Sequence, residues 1–222
     1  MAFVEQLLHK SERERKAILD HPFVRGIGNG TLPVRKFRYY VRQDYVYLIE
    51  YARVLALASV RATDLDSMGW FARLLDGTLN TEMALHRGYC ARFGITERTL
   101  KATRPSPTTI GYTSYLLAIG YGGSFSELTS SLLPCQHGYW EIGDHFARQG
   151  EPGSQPLYCE WIRMYSAQEF RKLAEELVRI VNRLAAPAGA AERRRMEQAY
   201  MTSLRWEHLF WNAAYNEEGW PA

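Results

Sequence analysis

The chain has 222 residues, 46% hydrophobic and 23% charged, the balance of a folded globular protein with one sizeable core rather than a disordered polymer. Lys and Arg number 27 against 24 Asp and Glu, a formal net charge of +3 with the signs interspersed, which argues against nucleic acid as a partner. No apolar run approaches the ~18 residues of a membrane-spanning helix, and Met1 to Arg13 lacks the basic and apolar regions of a secretory leader.

Cys90, Cys135 and Cys159 are odd in number and have no CxxC spacing, so the expectation is a reduced cytoplasmic protein without structural disulfides or a zinc finger. Aromatic residues make up 13%, led by 14 Tyr. A buried Tyr hydroxyl needs a partner, so this composition points to a polar-lined interior or interface. The one dense basic run, Arg193-Arg194-Arg195, lies between Glu192 and Glu197 and reads as a solvated helix face.

In chain order, a first helix is expected over about Phe3 to Leu19, ending before His21-Pro22. Gly26 to Pro33 reads as a turn-rich loop, with Pro33 opening a long helix from about Val34 to Val60. Another helix spans about Leu65 to Phe93, with an irregularity near Gly77. Ser106-Pro107 is a cap followed by a first-turn proline, and the helix it starts runs to about Gly120. Ser124 with Glu127 forms a capping-box pattern for a helix reaching about Ala147. Two long helices, about Leu157 to Leu184 and Ala190 to Tyr215, close the chain. No segment alternates as a strand does. The expected fold is all-α: one domain over residues 1–222, a bundle of seven or eight helices.

Function in a helical bundle tends to sit where polar groups interrupt a core face. Tyr40, Asp44, Tyr47 and Tyr51 follow helical spacing on one face, framing Asp44 with rings. Asp44 is either a binding carboxylate or a structural partner of Arg38, Arg42 or another Arg. Leu128, Leu132, Cys135, Tyr139 and Ile142 form an apolar stripe containing Cys135, directly after the helix-interrupting Pro134. Cys135 is either reactive or a small packing residue; Cys90 and Cys159 read as packing. Glu207 lies among Tyr200, Ser203, Leu204, Phe210, Trp211 and Ala214, either buried as an acid/base group or exposed beside the stripe. Glu82 with His86, and Glu141 with His145, are four apart and read as helical surface pairs. No di-iron motif, HExxH, P-loop or dinucleotide fingerprint is present, so no metal site is expected.

His21-Pro22-Phe23 through Gly28-Asn29-Gly30-Thr31-Leu32-Pro33, followed by Tyr39 to Leu48, resembles the N-terminal signature of the TenA family, the thiaminase II group. So do Leu132-Leu133-Pro134-Cys135 with Tyr139 to Gly143, Trp161 to Ser166, and Glu207-His208-Leu209-Phe210-Trp211. The four segments occur in the family's order over nearly the whole chain. The resemblance implies a haem-oxygenase-like all-α fold and a homotetramer. It implies hydrolysis of 4-amino-5-aminomethyl-2-methylpyrimidine, or of thiamin, to the hydroxymethylpyrimidine used in thiamin synthesis, without cofactor or metal.

Carried onto this sequence, the implied nucleophile is Cys135, which places the chain in the cysteine-containing branch, and the implied acid/base is Glu207. By the same resemblance Asp44 would accept from the amino edge of the ring, Tyr47 would stack on it, and Tyr112, Tyr139 and Tyr165 would supply hydroxyls. One departure is His137, where family members commonly carry an aromatic residue. Trp70, Phe71, Trp140 and Trp220 exceed what a small pocket needs and are expected at subunit contacts. Two other readings compete: an oxidative enzyme on the same fold, and a regulatory protein without enzymatic activity.

Overall fold

The structure, a computed structural model, describes residues 1–153 and 155–221. Among the described residues there are twelve α-helices, one π-helical turn and no strand. The all-α expectation holds, while the helix count exceeds the expected seven or eight. The residues fall into two compact units, Met1–Leu32 with Ser126–Trp211, and Pro33–Phe125 with the segment from Asn212 onward.

The extra helices of the first unit come from breaks that composition hides. The expected first helix is two, α1 (Phe3–Lys10) and α2 (Glu12–Leu19). The break is at Ser11, whose buried hydroxyl lies 2.8 Å from the Leu7 carbonyl and 3.0 Å from Tyr200 Oη. A serine that bonds locally and to a distant partner competes with helix propagation.

The Gly-rich stretch expected as loop is largely α3 (Pro22–Gly28). Pro22 occupies the first turn and His21 Nδ1 accepts from the Phe23 amide at 3.1 Å, a side-chain cap. The glycine here serves packing rather than turning: a Cβ on Gly28 would lie 2.1 Å from the Phe146 ring.

The rest of this unit is α9 (Phe125–Gln149) from Ser126, α10 (Pro156–Ser166), α11 (Gln168–Ala185) and α12 (Ala190–Asn216) as far as Trp211. The expected single helix over Leu157 to Leu184 is broken at Ala167, extended at φ −60° and ψ 145°. No helix-breaking residue marks that point. It lies where the backbone of Tyr165 and Ser166 meets Gly143 of α9, a tertiary contact that no local pattern encodes. Arg193 donates to the carbonyls of Ala185 and Ala188, closing the C-terminus of α11. Phe23, Tyr139, Trp161, Tyr165 and Trp211 form a continuous ring cluster in this core.

The second unit is built around α4 (Val34–Arg61), against which α5 (Leu65–Gly77), α6 (Met83–Arg92) and α8 (Pro107–Gly122) pack. The irregularity expected near Gly77 is the π-helical turn Thr78–Glu82 between α5 and α6. The short α7 (Glu97–Lys101), capped by Thr96, precedes the loop to α8. Ser106 caps α8 through Thr109 as its sequence implies.

Trp70 and Phe71 are buried here, packed edge-on to each other, with Phe71 against Phe125. They are core residues, correcting the expectation that they are spare for a subunit contact. Trp220 is exposed and Trp140 partly so, with the Arg171 guanidinium over the Trp140 ring. Among the described residues no helix is long and apolar enough to cross a membrane.

Candidate active site

In the second unit, α4 is wide enough in its apolar face to bury Tyr40, Asp44, Tyr47 and Tyr51 together. Tyr47 stacks on Tyr51 with centroids 5.6 Å apart and planes 20° apart, and lies 5.1 Å from the Tyr112 ring of α8. The structure therefore brings Asp44, Tyr47 and Tyr112 together within this unit.

Asp44 is 3% exposed. Its partner is not Arg38 or Arg42 but His86 of α6, with Nε2 2.6 Å from Asp44 Oδ2. His86 is fully buried, correcting its reading as a surface residue paired with Glu82. It meets the Glu82 backbone carbonyl through Nδ1 at 2.9 Å. Burial acts to lower the imidazole's pKa. The Asp44 charge and hydrogen bond outweigh it, so His86 holds its proton above the ordinary range. Among the described residues Asp44 Oδ1 makes no hydrogen bond.

Gln43, one residue earlier, faces a different task. Its oxygen accepts from the Ser106 amide and the Thr109 hydroxyl, and its amide donates to the Arg104 carbonyl. It fixes the entry to α8 and lines, with Tyr39, Arg42 and Trp220, a hollow of about 430 Å³ that contains none of the predicted site residues.

The first unit carries Cys135, Tyr139, Tyr165 and Glu207. Cys135 follows Pro134 within α9 and is partly exposed, whereas Cys90 and Cys159 are buried. Burial pushes the Cys90 thiol up to about 11, and Cys159 Sγ lies 3.2 Å from the Pro152 carbonyl. Both are poor nucleophiles by these surroundings. Tyr139 and Tyr165 have ring centroids 4.9 Å apart. Glu207 of α12 is buried at 3% exposure.

Glu207 shares with Tyr139, Pro134 and Gly138 the wall of a cavity of about 20 Å³, room for about one water and far too little for a pyrimidine ring. The rim of that cavity carries an ion pair between Arg15 and Glu141. Glu141 is therefore engaged with Arg15, and His145 bonds Gln149, so these two do not form the surface pair their spacing implied.

His137 packs edge-on against Trp140, and burial lowers its pKa. The neighbouring Gln136 is buried with its amide nitrogen unpartnered among the described residues. Among the described residues no three of His, Cys, Asp and Glu are grouped to hold a metal ion.

His86 is the residue that spacing missed. A signal was present: Met83, His86 and Cys90 fall on one helical stripe, and a buried carboxylate elsewhere needs a cationic or protonated partner.

An all-helical chain of this element order, with a buried carboxylate and a partly exposed cysteine on separate core helices, has the haem-oxygenase-like architecture. A Shewanella denitrificans domain described as having that fold superposes with a TM-score of 0.77 at 16% identity, covering 96% of this chain and 92% of that one. The chain belongs to the TENA/THI-4/PQQC family, whose model matches residues 9–217.

It is 41% identical to the aminopyrimidine aminohydrolase of Halalkalibacterium halodurans, covering 99% of this chain and 98% of that one. It is 40% identical to that of Bacillus subtilis, covering 90% and 84%. A TenA homologue from Pyrococcus horikoshii superposes with a TM-score of 0.88 at 28% identity over 97% of this chain and 99% of that one.

Proposed function

We propose that the chain is an aminopyrimidine aminohydrolase of the thiaminase II type, converting 4-amino-5-aminomethyl-2-methylpyrimidine and water to the hydroxymethylpyrimidine and ammonia. The same chemistry acts on thiamin. The observation that carries the reading is the contrast among cysteines: Cys135 alone among them is partly exposed, and it shares α9 with the Tyr139 that walls a cavity beside the buried Glu207.

An aromatic aminopyrimidine holds its methylene substituent firmly. In this reading the Cys135 thiolate adds to a ring carbon and breaks that aromaticity. The amine then departs with a proton from Glu207, water adds to the exocyclic carbon, and the thiolate leaves as the ring recovers. A single proton of Glu207 serves throughout: it goes to a ring nitrogen as the thiolate adds, returns and passes to the departing amine, is replaced by one from the water that goes to the ring nitrogen, and comes back to Glu207 as the thiolate leaves; its burial suits such a group. Asp44 takes the amino edge through Oδ1. The Tyr47 ring stacks on the pyrimidine, and the hydroxyls of Tyr112, Tyr139 and Tyr165 complete its polar contacts. The reading includes no cofactor and no nucleic-acid partner.

The test follows ammonia release from the aminomethylpyrimidine and thiazole release from thiamin side by side, with Cys135→Ser. Loss of turnover in a folded variant supports the nucleophile; full activity removes it. The proposal extends to a cytoplasmic homotetramer. Exposed Val60, Leu65 and Tyr121 on the second unit support an association surface. Sedimentation as a monomer at micromolar concentration overturns that part.

A further inference from the structure

We infer that His86 is the positioning residue for Asp44, and that it determines selection of a 4-amino over a 4-oxo pyrimidine by keeping Asp44 Oδ1 a hydrogen-bond acceptor. This rests on the proposed role of Asp44 toward the amino edge of the ring.

The argument is a count of protons. His86 Nδ1 lies 2.9 Å from the Glu82 carbonyl oxygen. A carbonyl only accepts, so Nδ1 carries hydrogen. The other nitrogen, Nε2, stands 2.6 Å from Asp44 Oδ2. Two bare lone pairs do not face each other at that distance, so one proton lies on the Nε2–Oδ2 line. The pair thus shares one proton, beside the one on Nδ1, and carries no net charge, which is how a carboxylate at 4% side-chain exposure survives burial.

Oδ2 is committed to the imidazole. Oδ1 makes no hydrogen bond among the described residues, and it is the oxygen left for a ligand. Because the shared proton sits on the Oδ2 side, Oδ1 can accept but has nothing to donate.

That asymmetry reads the substrate. A 4-amino group offers N–H hydrogens to an acceptor. A 4-oxo group puts a carbonyl acceptor in the same place, and two acceptors repel. Sites built to bond a particular donor reject analogues that lack it far more strongly than apolar pockets do.

Removing the imidazole changes this logic. Without it, neither Asp44 oxygen is committed to a partner, so the carboxyl group loses the orientation that aims Oδ1 at a donor. The Glu82 carbonyl that orients His86 lies at the end of the π-helical turn, so the backbone irregularity and the imidazole act together.

The test uses two inert ligands without leaving group, 4-amino-2,5-dimethylpyrimidine and 2,5-dimethyl-4-pyrimidinone, with calorimetry on the wild type, Asp44→Asn, His86→Gln and His86→Phe. The wild type is expected to favour the amino ligand by roughly 10²-fold or more. His86→Gln places an amide donor near the Nε2 position and is expected to keep most of that preference. His86→Phe is expected to lose the greater part of it, through weaker binding of the amino ligand.

A purely structural role for His86 would weaken both ligands alike, and that result overturns the inference. So does an unchanged preference in His86→Phe. If that variant does not fold, His86→Asn, which reaches Glu82 but not Asp44, carries the same expectation. Asp44→Asn separates the two levels: unchanged amino-ligand binding in it refutes the role of Asp44 itself, whereas a loss there with no change of preference in the His86 variants refutes only the role of His86.

Discussion

Replacing Gly143 with alanine puts a methyl carbon where α10 already presses on α9. The new carbon would lie 2.7 Å from the Tyr165 carbonyl carbon, 2.8 Å from the Ser166 nitrogen and 2.8 Å from Tyr165 Cβ. Ordinary carbon contacts fall near 3.5–4.0 Å, so the two helices must separate by roughly 1 Å. Two of the three atoms are backbone and cannot rotate away. Overpacking of this kind costs about 1–3 kcal/mol, against a gain of up to ~1 kcal/mol from replacing a mid-helix glycine. The net loss is about 1–2 kcal/mol, or ~2–8 °C in Tm for a chain of this size.

Gly138 in the same helix has nothing within 4 Å of an added Cβ, so Gly138→Ala is the control, expected to hold or raise Tm. The second readout is activity. A retreat of ~1 Å by Tyr165 lowers kcat/KM on the order of 10²-fold if its hydroxyl orients the substrate. Thermal melts that rank Gly143→Ala with Gly138→Ala would refute the packing argument, and undiminished turnover in a destabilised Gly143→Ala would refute the role given to Tyr165.

Three further outcomes are expected. Glu207→Gln keeps the shape of the side chain and removes its proton, so kcat falls ~10²–10⁴-fold with little change in KM; steady-state kinetics showing full kcat removes Glu207 from proton transfer. Ser11→Ala leaves the buried Tyr200 hydroxyl without its 3.0 Å partner and costs about 1–3 kcal/mol; denaturant unfolding with an unchanged midpoint contradicts this. The raised pKa of His86 predicts a pH-dependent stability. The folded state holds the imidazole proton more tightly than the unfolded chain, so this contribution is complete below the ordinary value of 6.5 and fades as pH rises through the raised one. The Tm difference between wild type and His86→Gln should therefore shrink with rising pH above that point, and a difference independent of pH would mean the ring is neutral.

Helices with their own chemical punctuation were legible. The long α4, the Ser106 and Pro107 start of α8 and the span of α12 follow from periodicity and caps. The breaks at Ser11 and Ala167 were not, because each is imposed by a partner far along the chain, Tyr200 in one case and Gly143 in the other. The glycines of α3 misled for the same reason: Gly28 makes room for the Phe146 ring and Gly26 for the returning chain at Leu32. Asp44, Cys135 and Glu207 stood out as polar groups on apolar stripes. His86 did not, since its partner lies 42 residues away and helical spacing compares only positions three or four apart.

The π-helical turn explains why His86 could not be found by extending the pattern of α5. Buried Trp70, Phe71, Leu74 and Thr78 set a stripe. Carried forward in α-helical steps of three and four, that stripe passes through positions 82, 85 and 89 and puts residue 86 about 100° off its centre. The buried positions after the turn are instead Met83, His86 and Cys90, with Tyr89 at the edge, the same stripe displaced by one residue. A π turn inserts one residue into the helical count. Thr78–Glu82 therefore resets the phase of the helix and delivers the imidazole to the face that packs on α4, where Asp44 is. A regular helix over the same sequence would have buried Leu85 there and left Asp44 without a proton to share.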